Sequence, residues 1–417
     1  MNLLSDRPGL KWRIIRKCGK IKMWSDISGR YGKQKSEMEV EIKMHEFKTS
    51  LDLVFADSFC DFAGKENIGK DDYILTNEFL YEKFVKPLDL PCESAFIEAY
   101  GKGEPSTAMV DRIRKDLPEG IRRMIAVGGG AVMDTAKMLS LTTSSGKTED
   151  LFNLSPDAEE PKKLFEVYAV PTTCGTGSEV TNACAAELVS LHTKRGLNND
   201  LMFPAKSVLI PELIYGLPYR FFATSSIDAL IHAVESYLSP KASPISELFS
   251  EKAVRMIMEG YLYIDRNGNE KWKDKAKEFQ IAATYAGLAF CSAGCAAVHA
   301  LSYPLGGGYH IPHGEANQLV FAATFRKYKE KKPIGKLNDI ENIFSEILNV
   351  PADEALEAAF AMFDRIQLRK PLKDYGISED ELRGFAEGVE AGQKRLLSNN
   401  YVPLTVDEMV EIYQAVY

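Results

Sequence analysis

The histidines of this 417-residue chain are few, and their positions are the first indication of chemistry. There are six, and four of them fall in two short segments: His232 in one, and His299, His310 and His313 in the other. Asp228 precedes His232 by four residues within a helical pattern, so the two side chains should project from one helix face. A carboxylate with three imidazoles, from His232, His299 and His313, suits Fe(II) or Zn(II) better than Ca²⁺ or Mg²⁺. Such an ion can polarise an alcohol or carbonyl oxygen.

The elements around these residues must bring three separate stretches of chain together. We expect His299 to end a helix over 294–301 that Pro304 terminates, and His313 to begin the next helix. An isolated Asp/His pair four residues apart is usually a contact on a helix surface. Glycine and alanine crowd both histidine segments, however, as close packing around a buried site requires. Three histidines are predicted not to bind the ion: His45, His192 and His310.

A glycine-rich turn upstream is suited to phosphate groups. Residues 122–127 open with two arginines and continue with four apolar residues, as in a buried parallel strand, and a helical pattern follows at 131–137. Three glycines join the two, Gly128, Gly129 and Gly130. They would let backbone amides approach a pyrophosphate at the helix N-terminus, where the helix dipole favours an anion. Alone, the turn is unspecific, because any tight strand-to-helix loop can use glycines, and Asp134 with Lys137 can equally form an i,i+3 ion pair.

A second polar loop follows another predicted strand, over 164–170. It sets hydroxyl side chains among glycines, at Thr172, Thr173 and Thr176. Loops of this kind at the carboxyl ends of strands line the nucleotide crevice of open α/β sheets. The alternative is a polar loop in which Ser178 caps a helix. Two such loops after two successive strands favour the nucleotide site.

In combination, these segments resemble the iron-containing (group III) alcohol dehydrogenase family over about residues 73–417. Residues 128–137 match its GGGS-x-x-D-x-x-K cofactor turn, with Ala131 where serine is usual, and residues 171–179 match its second nucleotide loop. The positions of its metal ligands are occupied by Asp228, His232, His299 and His313. The resemblance implies a dehydroquinate synthase-like fold, with an α/β NAD-binding domain built on a parallel sheet and then an all-helical metal and substrate domain. It also implies an NAD-dependent oxidoreductase with one divalent ion, Fe(II) in preference to Zn(II).

Further stretches are similar to the branch of this family that oxidises 4-hydroxybutyrate: 74–81, 100–106, 216–222, 299–304 and 397–401. That similarity implies reversible conversion of 4-hydroxybutyrate to succinate semialdehyde. Another short-chain primary alcohol, diol or aldehyde is the alternative substrate.

The resemblance also implies roles for single residues near the cofactor and the substrate. Asn77, Asp134 and Lys194 join the glycines and threonines at the cofactor. Asn77 stands where an aspartate usually holds the adenosine ribose, so NAD over NADP follows from the resemblance and not from charge. Tyr303 stands where many members have a further histidine. A four-carbon hydroxy acid carries its carboxylate about 5–6 Å from the reacting carbon, and Tyr303 and His310 are the candidate donors to it.

Composition limits the classes of protein. With 45% hydrophobic residues the chain can bury a large core, and its length indicates two or three domains. A net charge of −8 without a sustained basic stripe argues against nucleic acid, and no run of about 18 apolar residues predicts a membrane span. Seven cysteines without C-x-x-C pairs indicate a reducing compartment. We therefore expect a cytoplasmic homo-oligomer that acts on a small molecule.

The pattern along the chain predicts three regions. Residues 1–43 are a basic extension, either disordered or upstream of a true start at Met38 or Met44. The first strand of the family fold should begin near Met44, and strands alternate with helices over 44–217. Residues 218–417 have helical periodicity throughout.

Two other classes of function stay open at this point. One is an enzyme of the same superfold with different chemistry, such as a glycerol dehydrogenase or a dehydroquinate-synthase-like cyclase. The segment from His299 to His313 argues against both. The other is a non-catalytic assembly protein that keeps metal and nucleotide for structure, against which stand the complete ligand set and both nucleotide loops.

Overall fold

The computed structural model describes residues 46–417 except 51, 102, 154, 156 and 192, together with three strands near the amino terminus. The chain divides into two units, Met1–Glu46 and Phe47–Tyr417. In the first unit the strands β1 (Leu10–Lys17), β2 (Lys20–Gly29) and β3 (Gly32–Glu41) form an antiparallel sheet in that order. This differs from a disordered extension, because residues 10–14 alternate apolar and charged types with the period of a strand. An upstream start stays a prediction.

A six-stranded sheet organises the first part of the second unit. Its strands are β4 (Leu53–Phe55), β5 (Asp72–Thr76), β6 (Glu93–Phe96), β7 (Arg123–Gly128), β10 (Glu166–Pro171) and β13 (Lys206–Leu209). They lie in the order β4-β13-β10-β7-β5-β6, and every ladder between them is parallel. Two short antiparallel ribbons accompany the sheet: β8 (Leu141–Thr142) with β9 (Lys162–Lys163), and β11 (Ala183–Leu188) with β12 (Thr193–Asn198). The first described strand of this sheet begins at Leu53, and the predicted start near Met44 lies outside the described residues.

Both faces of this sheet are covered, which explains the runs of consecutive apolar residues in its central strands. Met124 and Ala126 of β7 belong to one buried cluster, while Ile125 and Val127 belong to another. Successive residues of a strand point to opposite faces, so both clusters need apolar residues. The helices of this part are α1 (Phe59–Glu66), α2 (Glu78–Leu80), α3 (Thr107–Asp116) and α4 (Gly130–Leu139).

From Tyr219 onward the described chain contains helices and no strand. They are α5 (Tyr219–Leu238), α6 (Pro244–Asn267), α7 (Ala276–Ala293), α8 (Ala297–Tyr309), α9 (His313–Lys331), α10 (Lys336–Leu348), α11 (Ala355–Ile366), α12 (Leu382–Gly392), α13 (Lys394–Leu397) and α14 (Val406–Gln414). The predicted fold class, a parallel α/β part followed by a helical part, is confirmed. Both parts belong to the one compact unit Phe47–Tyr417, and a domain boundary at residue 217 stays a prediction.

The helix that carries His299 differs from the prediction. It was expected over 294–301 with Pro304 as its end, but α8 begins at Ala297 and runs through Pro304 to Tyr309. A proline inside a helix removes one backbone donor. Here Leu305, just after the proline, is buried, and the hydroxyl of Tyr413 donates a hydrogen bond of 2.7 Å to the carbonyl of Leu301. Tertiary contacts therefore outweigh the local signal.

Within the described residues, no single helix is long and apolar enough to cross a membrane. The segment Asn269–Ala293 and α8 reach that length and composition only together, and they are bent by 104° at the break between them.

Candidate active site

Three helices bring the predicted metal ligands together. Asp228 and His232 lie on α5, His299 on α8, and His313 is the first residue of α9. One ligand atom from each of the four side chains lies within 4.8 Å of all the others. An oxygen of Asp228 is 3.6 Å from Nε2 of His299 and 3.7 Å from Nε2 of His313. Ligand atoms of a tetrahedral Zn or Fe site stand about 3.4 Å apart, so the cluster fits a divalent ion.

Two buried nitrogens of this cluster have no hydrogen-bond partner among the described residues. They are Nδ1 of His232 and Nε2 of His299. A buried polar atom without a partner is costly, and a metal ion that accepts its lone pair removes that cost. The orphaned nitrogens are therefore independent support for a metal at this point.

Neighbouring side chains hold the ligands in place. Nδ1 of His299 donates a hydrogen bond of 2.6 Å to Glu235, which also accepts from the backbone amides of Ala296 and Val298. This leaves Nε2 of His299 free for the ion. Asn317 donates to Asp228 at 2.8 Å. Neither residue was predicted, although Glu235 follows His232 by three positions and Asn317 follows His313 by four, each on its ligand's helix face.

Burial and charge act against each other in this cluster. Burial alone would raise the pKa of Asp228, but His232 and His313 beside it hold that pKa well below its usual range. Burial lowers the pKa of His313 to about 4, against the attraction of Asp228. Deprotonated Asp228 and neutral His313 are the forms that bind a metal, whereas the charge of Asp228 raises the pKa of His232 despite its burial.

The two predicted nucleotide loops lie side by side. Gly128 at the end of β7 stands opposite Pro171 at the end of β10, and the amide of Thr172 donates to the carbonyl of Gly128 at 3.0 Å. A side chain on Gly130 would come within 2.6 Å of Thr176, so the loops touch there. Gly129 caps α4, whose N-terminus faces the edge where both loops begin. The arrangement can bind a pyrophosphate.

Asp134 and Lys137, which the sequence places just after the glycine turn, connect the two nucleotide loops. Asp134 accepts hydrogen bonds from the hydroxyl of Ser178 at 2.6 Å and from the amide of Ala185 at 3.0 Å. Lys137 donates to the same Ser178 hydroxyl and to Thr181. Asp134 and Lys137 therefore join the first loop to the second and to β11, and do more than form an i,i+3 ion pair with each other. Ser178 forms hydrogen bonds with both of them and does not cap a helix.

An unpredicted carboxylate lies beside Asn77, where β5 ends. The Asn77 amide donates to an oxygen of Glu98 at 2.8 Å, and Glu98 follows the neighbouring strand β6. Both side chains lie at the carboxyl edge of the sheet, where the ribose of a dinucleotide binds in folds of this type. Asn77 carries no charge where an aspartate is usual, and Glu98, which follows the neighbouring strand, brings a negative charge to this position.

The structure places the two substrate candidates, Tyr303 and His310, in different surroundings. The Tyr303 ring lies 6.3 Å from that of His313, and Nζ of Lys194 lies 5.6 Å from the Tyr303 ring. Lys194 also forms an ion pair with Glu104, and both residues line the cavity that the metal ligands line. His310 does not join this group: it is an exposed residue with φ of 53° that caps the end of α8. His310 is not among the described residues that line the cavity, and its substrate role stays a prediction. His45 and His192 lie outside the described residues.

One cavity of about 440 Å³ connects these parts. Its wall includes metal ligands, Tyr303 and Lys194, and it extends to Gly130, Asp134 and Thr176 of the nucleotide loops. A nicotinamide bound through those loops would lie in reach of a substrate oxygen at the ligand cluster.

Comparison with known proteins agrees with this arrangement. The model "Iron-containing alcohol dehydrogenase" matches residues 63–211, and "Fe-containing alcohol dehydrogenase family, C-terminal" matches residues 222–417. The 4-hydroxybutyrate dehydrogenase of Clostridium kluyveri is 45% identical over 371 residues, which are 89% of this chain and 99% of that protein. The chain belongs to the iron-containing alcohol dehydrogenase family.

More distant relatives agree with this membership. The long-chain-alcohol dehydrogenase 1 of Geobacillus thermodenitrificans is 34% identical over 70% of this chain and 74% of its own length. The crystal structure of sulfoacetaldehyde reductase from Bifidobacterium kashiwanohense, in complex with NAD+, has a TM-score of 0.76 at 23% identity, covering 90% of this chain and 99% of that one. The latter supports the fold alone.

Membership of the iron-containing alcohol dehydrogenases confirms the expected enzyme class, an oxidoreductase. The expected cofactors, NAD and one divalent metal ion, are confirmed at the level of the family. This also decides against the cyclase and the non-catalytic assembly protein.

Proposed function

We propose that the protein catalyses the reversible, NAD-dependent oxidation of 4-hydroxybutyrate to succinate semialdehyde. The observation that carries the proposal is the cavity in which the cluster of Asp228, His232, His299 and His313 faces the glycine turn of a nucleotide site. The similarity to the Clostridium kluyveri 4-hydroxybutyrate dehydrogenase along nearly its whole length supports the substrate. Another short-chain primary alcohol, diol or aldehyde is the alternative.

The cofactors supply the chemistry and the chain supplies their placement. When bound, a divalent ion, which we propose to be Fe(II), lends Lewis acidity to the hydroxyl oxygen, and the nicotinamide accepts the hydride. The four ligands would hold the ion, with Glu235 fixing the ring of His299. The glycines and threonines of the two loops, with Asn77 and Lys194 nearby, would hold the dinucleotide, and Asp134 would support it by joining the two loops. In the forward direction the substrate loses a hydride and a proton, so NADH and one proton are the other products.

The ligands lie in surroundings that shield them from bulk water. Asp228, His232 and His299 are all buried, and the Phe290 ring stacks on that of His232 at 4.4 Å. A dry site strengthens every charge interaction inside it. The residues therefore favour hydride transfer over exchange with solvent.

The setting we propose is the cytoplasm, with the chain as a homo-oligomer and without nucleic acid or membrane partners. The six cysteines in the described part of the chain are free thiols, in line with a reducing compartment. The acidic net charge of −8 supports the absence of a nucleic acid partner.

Steady-state kinetics of the purified protein test the function. Samples loaded with Fe(II) or Zn(II) would be assayed with NAD or NADP on 4-hydroxybutyrate, 1-butanol and 1,4-butanediol. We expect the highest kcat/KM for 4-hydroxybutyrate with NAD. A higher value for either neutral alcohol would refute the hydroxy acid as the substrate, and the alternative would take its place.

A further inference from the structure

The proposed substrate carries a carboxylate, and the cavity must offer it a positive charge. The cavity is lined by three acidic residues, Glu104, Asp134 and Asp228, and each already has partners in the wall: Glu104 pairs with Lys194, Asp134 accepts two hydrogen bonds, and Asp228 lies among the histidines and accepts from Asn317. The wall also contains Lys241 and Arg395.

These two cations differ from Lys194 in having no partner. Among the described residues, neither the ammonium of Lys241 nor the guanidinium of Arg395 forms a hydrogen bond or an ion pair, and both side chains are exposed. The charge of Lys194 is balanced by Glu104. Each acid of the cavity wall has partners in the wall and these two cations have none, so the cations are available to an anionic ligand group.

Arg395 lies over the ribbon of β11 and β12, which lines the cavity. One of its guanidinium nitrogens, Nη2, is 2.9 Å from the point where a Cβ on Gly196 would stand. Lys194, Gly196 and Asn198 alternate along β12 and all line the cavity, whereas Arg195 and Leu197 do not. Because alternate residues of a strand share a face, the guanidinium lies on the face that carries Lys194. The absence of a side chain at Gly196 provides its space.

The backbone of Arg395 is anchored to the metal side of the cavity. Arg395 belongs to α13, which packs on α8, the helix of His299 and Tyr303. Just after α13, the buried Asn399 donates a hydrogen bond of 2.8 Å to the carbonyl of Cys295. A ligand group bound at Arg395 would thus be held at a defined distance from the metal ligands, as a bifunctional substrate requires.

We propose that Arg395 binds the carboxylate of the substrate and so selects a hydroxy acid over a neutral alcohol. This inference rests on the proposed function. The planar guanidinium matches a carboxylate with two parallel hydrogen bonds, which the single ammonium of Lys241 cannot form. Arg395 lines the same cavity as Lys194, Tyr303 and His313.

The test is Arg395→Met, which keeps the length of the side chain and removes its charge. We expect kcat/KM for 4-hydroxybutyrate to fall about 10- to 100-fold, mainly through KM, because a charge-assisted hydrogen bond is lost. The values for 1-butanol and 1,4-butanediol should stay within about twofold. Arg395→Lys should recover part of the loss. Butyrate, which has the carboxylate but no hydroxyl, should bind the NAD complex of Arg395→Met more weakly by calorimetry, while metal content and NAD affinity are unchanged.

Arg195→Met is the matched control, since Arg195 neighbours Gly196 on β12 but does not line the cavity. It should leave all substrates unaffected. Equal losses on the acid and the neutral alcohols in Arg395→Met, or no loss at all, would overturn the assignment while the proposed function stands. So would a selective loss of 4-hydroxybutyrate in Tyr303→Phe or Lys241→Met but not in Arg395→Met. A wild-type enzyme that prefers the neutral alcohols would refute the proposed function and, with it, this role of Arg395.

Discussion

At the scale of single residues, the ligands depend on neighbours that do not touch the ion. Glu235 is 1% exposed and accepts hydrogen bonds from His299 and from two amides at the start of α8. It therefore selects the tautomer of His299 and fixes the helix end from which that ring projects. Ligand positions in this site are set by a buried carboxylate as much as by the ligands' own helices.

We predict that Glu235→Gln lowers metal affinity about 10- to 100-fold. The amide has similar volume, but its NH₂ group cannot accept the proton of Nδ1, so the free nitrogen of His299 is no longer assured. Competition with a chelator, followed by metal analysis, measures the effect. His313→Ala, which removes a ligand, sets the scale of a nearly complete loss. An unchanged affinity in Glu235→Gln would mean that α8 alone orients His299.

A second residue-scale prediction concerns the choice of dinucleotide. Because Glu98 brings a carboxylate to Asn77, a 2′-phosphate at this edge would meet negative charge. We predict that Glu98→Gln raises the kcat/KM for NADP relative to NAD about 3- to 10-fold, and that added salt reduces the difference. Glu93→Gln, at the opposite end of β6, is the control and should change nothing. If the two variants behave alike, the 2′ position lies away from Glu98.

The metal ligands could be predicted from the sequence, and their supports could not, for a physical reason. Asp228 and His232 can be predicted as ligands from their residue types and their helical spacing. Glu98 and Arg395 gain their meaning only from partners distant in sequence, across a strand pair or against a glycine of another element. His310 was predicted near the substrate because of its closeness to His313 in sequence, but one turn of chain carries it to an exposed helix end.

At the scale of elements, the junction of strand, loop and helix decides where the dinucleotide lies. The strands over 122–127 and 164–170 were predicted within two residues of β7 and β10, because buried parallel strands are continuously apolar. The continuation of α8 through Pro304 was not predicted, because local sequence rules contain no information about the packing that holds this helix. Sequence patterns thus predicted the strands that are buried on both faces. They failed where tertiary contacts keep a helix intact through a proline.

The three glycines of the first turn have different reasons to be glycine. A Cβ on Gly128 would stand 2.4 Å from Val132, and one on Gly130 would stand 2.6 Å from Thr176, so both are required by the protein itself. A Cβ on Gly129 would meet only the side chain of Thr173, with its methyl at 3.3 Å and its hydroxyl oxygen at 3.7 Å. Gly129 is therefore the position at which a substitution reports on the ligand and not on the fold.

We predict that Gly129→Val weakens NAD binding by about tenfold or more while metal affinity is retained, because the side chain would occupy the approach of a pyrophosphate to the N-terminus of α4. Calorimetric titration with NAD and metal analysis of the same sample measure the two quantities. Gly307→Val, on α8 where a Cβ meets nothing within 4 Å, is the control for an added side chain. Normal NAD affinity in Gly129→Val would place the diphosphate elsewhere.

At the scale of the whole molecule, stability and chemistry are placed at opposite edges of the sheet. The nucleotide loops leave from the carboxyl ends of β7 and β10, whereas Asp72 is the first residue of β5 at the amino edge. Asp72 is 2% exposed and accepts a bidentate pair of hydrogen bonds from Arg123, at 2.7 and 3.0 Å, and another from Arg122. This edge fixes the central strands without contributing to the site.

The charge of Asp72 should make the stability of the fold depend on pH. Burial alone would raise its pKa, but the hydrogen bonds from Arg123 and Gly69 and the charges of both arginines lower it below the usual value. A carboxyl whose pKa is lower in the folded state stabilises the fold at pH values above its unfolded pKa of about 4. That contribution is lost as the pH falls from about 4 through the folded pKa.

We therefore predict that Asp72→Asn lowers the free energy of unfolding by about 2–4 kcal/mol at pH 7, because buried Arg123 loses its charged partner. The difference from wild type should shrink below pH 4, where the native carboxyl also becomes protonated. Denaturant unfolding at several pH values measures it, with the exposed neighbour Asp71→Asn as the control. Because Asp72 lies at the edge away from the cavity, kcat and KM of the folded variant should match wild type at pH 7. A changed KM for NAD would show that the amino edge of the sheet does influence the site.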